Sequence, residues 1–158
     1  MNIQLTQKET LLLEDQKSHE ELCIAKYQSY AEQAQDPQLK QLFLNHAAQE
    51  QEHLDSINQL LSGKIPNTKQ KQGQQNQQNQ QTQEVTIDLS STGSDKDALL
   101  CQDLLMTEKY ISDTYDTTIF EFTNAEARKL LNHIQKEEQQ HGEDIFNYMQ
   151  QHGMYQTK

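Results

Sequence analysis

The sequence predicts an all-α protein, a four-helix bundle made of two helical hairpins joined by a long crossover linker. Residues 1–62 and 94–153 place apolar side chains at the three-and-four spacing of core-facing helical stripes. Residues 63–93 between them are rich in Gln and Asn, a composition that buries too little apolar surface to offset its ordering entropy. The two helical stretches also repeat each other 88 positions apart, with Asp36, Lys40, Leu42, Phe43 and Ile57 answering to Asn124, Arg128, Leu130, Leu131 and Ile145. A repeat of that length suits a duplicated hairpin and is too long for a solenoid unit.

Each helix has its own signals. Thr6 and Glu9 form a capping-box pattern ahead of Leu11, Leu12 and Leu13, which opens the first helix; it runs to about Gln35. Asp36-Pro37 supplies an N-cap and a first-turn proline for the second, which Gly63 and Pro66 end near Leu61. Ser94 with Asp97 opens the third, and Thr123-Asn124 breaks it and caps the fourth, which ends near Gly153. In the linker, Val85, Ile87 and Leu89 alternate with polar residues as a short extended segment would. A helix of this length is roughly 38 Å long, and some thirty linker residues reach much further when extended, so the crossover is sterically free.

A chain of 158 residues fits one domain, 1–158. Its net charge of −11, with no basic stripe, argues against nucleic acid and against anionic membranes. No apolar run approaches the roughly 20 residues of a membrane span. The N-terminal residues lack the basic and apolar regions of a signal peptide, so synthesis in the cytoplasm is expected. Cys23 and Cys101 make no disulfide framework and read as small buried hydrophobes.

One pattern points at chemistry. Glu20, Tyr27, Glu50 and His53 recur as Glu108, Tyr115, Glu138 and His141. All six Glu and His lie on stripes otherwise apolar: Leu13, Glu20, Cys23, Tyr27 and Ala31; Leu39, Leu42, His46, Glu50, His53, Ile57 and Leu60; Leu100, Leu104, Glu108, Ile111, Tyr115 and Phe122; Leu130, Ile134, Glu138, His141, Ile145 and Tyr148. Counted from the hairpin turns at Asp36 and Asn124, every one of these Glu is about 20–24 Å along its helix, near mid-height. A Glu on one helix and a Glu-x-x-His on the next, doubled, is a ligand set for two metal ions inside a bundle. Carboxylate and imidazole donors without thiolate suit iron, manganese or zinc. A proton-sharing polar cluster, or a merely solvated face, remains an alternative for the same residues. Tyr27 and Tyr115 fit either as hydrogen-bond donors to the ligands or as core tyrosines. His46 fits as a ligand support or as a satisfied core histidine.

Two resemblances add to this reading. The first hairpin, with Glu20 before Ala25-Lys26-Tyr27 and Tyr30-Ala31-Glu32 and then Ala48-Gln49-Glu50-Gln51-Glu52-His53, resembles rubrerythrins. Ile111 stands where rubrerythrins carry an extra glutamate, so the six-ligand pattern looks closer to the bacterioferritin type; the four-cysteine rubredoxin module is absent. The second hairpin, with Asp103-Leu104-Leu105-Met106-Thr107-Glu108-Lys109-Tyr110, Tyr115 and the ending Phe146-Asn147-Tyr148-Met149-Gln150-Gln151-His152-Gly153-Met154-Tyr155, is similar to the spore coat protein F family, which usually has Trp in place of Met154. That similarity extends over both hairpins and leaves out the linker. It implies a ferritin-like bundle, a structural or protective role in the coat of bacterial endospores, other coat proteins as partners and room for a homodimer. The rubrerythrin likeness implies the alternative of a di-iron oxidase or peroxidase. A third reading is an adaptor that recruits partners through residues 70–83.

Overall fold

Each described helix that has a visible N-cap begins where a side-chain oxygen can take the unpaired amides of its first turn. The computed structural model describes residues 1–66 and 95–155 and contains four helices among them: α1 (Gln7–Gln33), α2 (Pro37–Leu61), α3 (Asp95–Glu121) and α4 (Ala125–Gln151). At α1 the expected capping box is complete: Glu9 N donates to Thr6 Oγ1 at 3.1 Å and Thr6 N donates to Glu9 Oε2 at 2.7 Å. Asp36 accepts from Gln38 N, with Pro37 in the first turn of α2, and Asn124 accepts from Glu126 N and Ala127 N at the start of α4. Ser94, the Gln-rich tract and the alternating residues Val85, Ile87 and Leu89 lie outside the described residues.

Gly63 ends α2 with φ +76°, and a Cβ there would sit 2.9 Å from the Ile3 carbonyl oxygen, so both the backbone and the space demand glycine. This close approach exists because the N-terminal residues lie over the end of α2. Ile3 N donates to Gly63 O, Ile65 N donates to Met1 O, and Asn2 bridges Lys64 in antiparallel fashion. Sequence reasoning did not anticipate that short pairing.

The topology follows from which ends meet. Glu9 at the start of α1 meets Thr123 beyond the end of α3, and Asp97 at the start of α3 meets Gln35 and Asp36 beyond the end of α1. The two helices are therefore antiparallel. So are α2 and α4, because His46 meets Asp144 while His53 meets Glu137 and Glu138. It follows that α2 and α3 run parallel. The chain leaves α2 at one end of the bundle and enters α3 at the other, so the connection must cover about 37 Å, the length of a 25-residue helix. The architecture is an all-α four-helix bundle in which α1 packs on α2, α3 on α4, and the hairpins meet through α1–α3 and α2–α4.

Its core is divided. One apolar layer contains Leu13, Ile57, Leu60, Phe122, Leu131 and Ile134; the other contains Leu39, Phe43, Leu100, Leu104, Ile145 and Met149. Between them lies a polar plane of buried Glu and His side chains. Cys23 and Cys101 are free and fully buried, one in each layer, and burial pushes the Cys101 thiol up to about 12.

Two carboxylates brace the bundle ends reciprocally. Glu9 Oε1 accepts from the backbone N–H (2.8 Å) and the hydroxyl (2.9 Å) of Thr123, in the α3–α4 turn. Asp97, at the matching position of the other copy, accepts from Gln35 N at 2.9 Å and Asp36 N at 3.1 Å, in the α1–α2 turn. Burial raises the Glu9 carboxyl, but the donors from Thr123 and Thr6 outweigh it and hold it below its usual 4.5. Glu9→Ala and Asp97→Ala should each lower the unfolding free energy by about 1–3 kcal/mol, the cost of stranding buried amide donors. Because the two braces sit at opposite ends, urea denaturation of the double variant should show additive losses. The Glu9 share should be present above pH 4.5 and vanish as pH falls below it.

Candidate metal centre

The expected carboxylates and imidazoles meet at one level. Glu20, Glu50, His53 and Glu138 bring one ligand atom each within 4.8 Å of one another, and Glu50, Glu108, Glu138 and His141 do the same. The two groups share Glu50 and Glu138, as bridging carboxylates would. Each is completed by its own terminal Glu and His. No member is more than 2% exposed.

The imidazoles present Nδ1 to this centre. His53 Nδ1 lies 3.1 Å from both Glu50 Oε2 and Glu138 Oε1, and His141 Nδ1 lies 3.0 Å from Glu50 Oε1 and 3.4 Å from Glu138 Oε2. Their outward nitrogens are held as well. His53 Nε2 lies 2.7 Å from Glu137 Oε2, and His141 Nε2 lies 2.8 Å from Gln49 Oε1. Gln49 and Glu137 occupy matched places in the two copies, one residue before each shared Glu. Sequence reasoning missed both, although that matched placement was available as a signal.

The tyrosines cross between the hairpins. Tyr27 donates to Glu108, and Tyr115 donates to Glu20. Each phenol is completely buried and serves the glutamate of the other copy, so a single side chain is both a core residue and a donor to the cluster. His46 adds an asymmetric extension. Its Nδ1 lies 3.2 Å from the Tyr27 hydroxyl, its Nε2 lies 3.1 Å from Asp144 Oδ2, and its ring stacks on His141 at 4.2 Å. A hydrogen-bonded path thus runs from the partly exposed Asp144 through His46 and Tyr27 to Glu108. Ile134 holds the place of His46 in the other copy, and Tyr115 has no such extension.

Comparison with known families bears on the second hairpin. The Coat F domain profile matches residues 96–158. Over that stretch the second hairpin is similar to the Coat F domain. The similarity expected over both hairpins is therefore matched by α3 and α4 with the chain that follows them, and the profile does not extend to α1 and α2. No curated protein and no solved structure matches the chain. The segment that matches the Coat F profile contributes Glu108, Glu138, His141 and Tyr115; residues 1–62 contribute Glu20, Glu50, His53, Tyr27 and His46.

Electrostatics shows why this plane needs positive charge. Burial, reinforced by Glu138 and Glu50, pushes the Glu20 carboxyl well above its usual 4.5. Burial does the same to Glu108 in the Coat F domain: the His141 hydrogen bond opposes it, while the Glu138 and Glu50 charges reinforce it. Burial also opposes ionisation of Glu50 and Glu138, yet hydrogen bonds from His141 and His53 outweigh it and hold both below 4.5. Burial disfavours imidazolium, but the carboxylates raise His53 well above 6.5 and His141 to about 11. Without a metal, the six groups therefore balance as two imidazolium ions, two carboxylates and two neutral carboxyls. Two divalent cations would balance four carboxylates and two neutral imidazoles equally well.

The residues fit such ions on geometry too. Glu20 Oε2, Glu108 Oε2 and Glu138 Oε2 are buried with no hydrogen-bond donor. Orphaned carboxylate oxygens in a core are costly unless a cation or proton meets them.

Three outcomes follow. Raised carboxyl and imidazole groups hold more protons folded than unfolded, so the metal-free protein should lose stability as pH climbs above 4.5 for Glu20 and Glu108 and above 6.5 for the histidines. Binding of two divalent ions near pH 7 should release about four protons per chain, so the thermal shift on adding Mn(II) or Zn(II) should be larger at pH 8 than at pH 6. Calorimetry in buffers of different ionisation heat reads the proton count. Double-mutant cycles check the crossing: Tyr27→Phe should couple to Glu108→Gln by about 1–3 kcal/mol and little to Glu20→Gln on its own helix.

Proposed function

We propose that this chain is a structural or protective protein of the bacterial spore coat whose four helices are clamped at mid-height by two divalent metal ions. The coat role draws on the Coat F domain at residues 96–158, and it makes other coat proteins the expected partners. The metal reading rests on one observation above the others: two buried ligand tetrads that share Glu50 and Glu138. No described helix is long and apolar enough to cross a membrane.

Glu20, Glu50 and His53 would hold one ion, Glu108, Glu138 and His141 the other, with Glu50 and Glu138 spanning both. Such ions supply positive charge that cross-links α1, α2, α3 and α4, and iron or manganese would add one-electron chemistry. Iron suits the oxygen-and-nitrogen donor set, as do manganese and zinc. Around them the protein's own groups do the positioning. Gln49 and Glu137 fix the ring orientation of His141 and His53, and Tyr115 and Tyr27 hold Glu20 and Glu108 in place. The apolar layers above and below shield the carboxylates from bulk water at both ends of the bundle.

A di-iron oxidase or peroxidase is the second reading, and the observation that favours it is the path Asp144–His46–Tyr27–Glu108, which gives a proton a route from the surface to the plane. Turnover of oxygen or peroxide by the iron-loaded protein, reduced by His46→Leu while metal content is kept, would select it.

The experiment for the main reading is metal analysis after anaerobic loading, joined to localisation of a fluorescent fusion in a sporulating host. Two ions per chain and a spore-surface signal are expected. Glu50→Ala with Glu138→Ala should abolish loading and leave the coat signal in place. Less than one ion per wild-type chain removes the metal clamp, and a diffuse mother-cell signal removes the coat role.

A further inference from the structure

The two halves of the metal plane are not equally covered. A groove of about 250 Å³ between α3 and α4 has Glu108 and Glu138 in its lining, with Ser112, Asp113, Gln139 and Gly142 along its walls. Glu108 Oε2 and Glu138 Oε2, both without hydrogen-bond donors, belong to the same two residues. Glu108 keeps 2% exposure, whereas Glu20, its counterpart in the first hairpin, has none. The sequence explains the difference. Where the Coat F domain has Ser112 and Gly142, the first hairpin has Ile24 and Leu54, two larger and partly buried aliphatic side chains.

We propose that hydrated divalent cations enter the centre through this groove, on the Coat F side of the bundle. The inference rests on the metal reading of the six residues and adds the route and its gatekeeper, Gly142. Size agrees, since six waters at about 30 Å³ each occupy roughly 180 Å³, within the groove's volume. Charge agrees as well. Three carboxyl groups, of Glu108, Asp113 and Glu138, face a single ammonium, Lys109, and Ser112 and Gln139 add neutral oxygens that can replace shed water ligands. Carboxyl oxygens that outnumber the one ammonium along a cleft draw cations in and raise their entry rate. Glycine at 142 keeps it open: an added Cβ would lie 3.9 Å from Leu105 Cδ1 and 4.0 Å from Glu108 Cβ, an ordinary fit for alanine with no clash. A leucine there, the residue type that Leu54 supplies at the matched position of the first hairpin, would extend across the groove.

The test is stopped-flow loading of the full-length, metal-free protein with Co(II), followed by absorbance, with stoichiometry from equilibrium dialysis. Gly142→Leu and Asp113→Lys should each slow loading by roughly tenfold, the low end of what a focusing cleft contributes, and still reach two ions per chain. Asp113 is exposed, so its variant keeps the question answerable if Gly142→Leu fails to fold. Wild-type loading with both variants at the wild-type rate overturns the entry route and leaves the metal centre standing. A wild-type protein that takes up no Co(II) overturns the centre, and the route with it.

Discussion

Four glutamates on the inner faces of four helices have to be neutralised while almost wholly buried, and the surrounding structure is arranged around that requirement. Each of Glu20, Glu50, Glu108 and Glu138 is at most 2% exposed. An isolated buried carboxylate is too costly to persist, so each must take a proton, a paired charge or a metal. His53 and His141 supply the nearest positive charge, Tyr27 and Tyr115 the hydroxyl donors, and Gln49 and Glu137 hold the imidazoles from behind. The apolar core is split into two layers because this plane passes between them.

The same pairing rule operates at mid-height and at both ends. Tyr27 serves Glu108 and Tyr115 serves Glu20; Glu9 braces the turn of the second hairpin and Asp97 the turn of the first. In every case the donor and acceptor come from different copies of the repeat. The matched polar residues thus act across the interface between hairpins. The departures from symmetry gather on one side: His46 opposite Ile134, and Gly142 with Ser112 opposite Leu54 with Ile24. Both bear on Glu108, through its hydrogen-bonded path in one case and its exposure in the other.

Much of the frame was legible in the sequence because it depends on local chemistry. Thr6 with Glu9, Asp36-Pro37, Asn124 and Gly63 act within a turn or two of themselves, and all four end or begin helices as those signals require. The level shared by the four glutamates was legible too, because rise per residue is constant. Partners across the bundle were not. Periodicity gives the face on which Tyr27 lies, but Glu20 and Glu108 are equally consistent with that face, and only packing selects Glu108. Nothing local marks Gln49, Glu137 and Asp144 in the sequence, since a polar residue at a helix interface cannot be told from one in water. Asp97 read as a first-turn acid, while its two oxygens also brace a turn more than sixty positions earlier in the chain. The family profile matches the second hairpin, so the similarity expected over the first rests on its ligand spacing alone.

The crossing contacts make each hairpin an incomplete object. Taken alone, the first hairpin would expose the face that carries Glu20 and Glu50, with no tyrosine facing Glu20 and only one of the two imidazoles. Its missing parts are those that a second hairpin of the same kind presents. Two separate hairpins could thus build this centre as a symmetric pair, limited by how often they met. Covalent connection removes that limit by making the encounter intramolecular at high effective concentration. It also frees the copies to differ, since a change at one position no longer forces the same change at its twin. A glycine can then stand against a leucine, and a histidine against an isoleucine, in what would otherwise be identical halves.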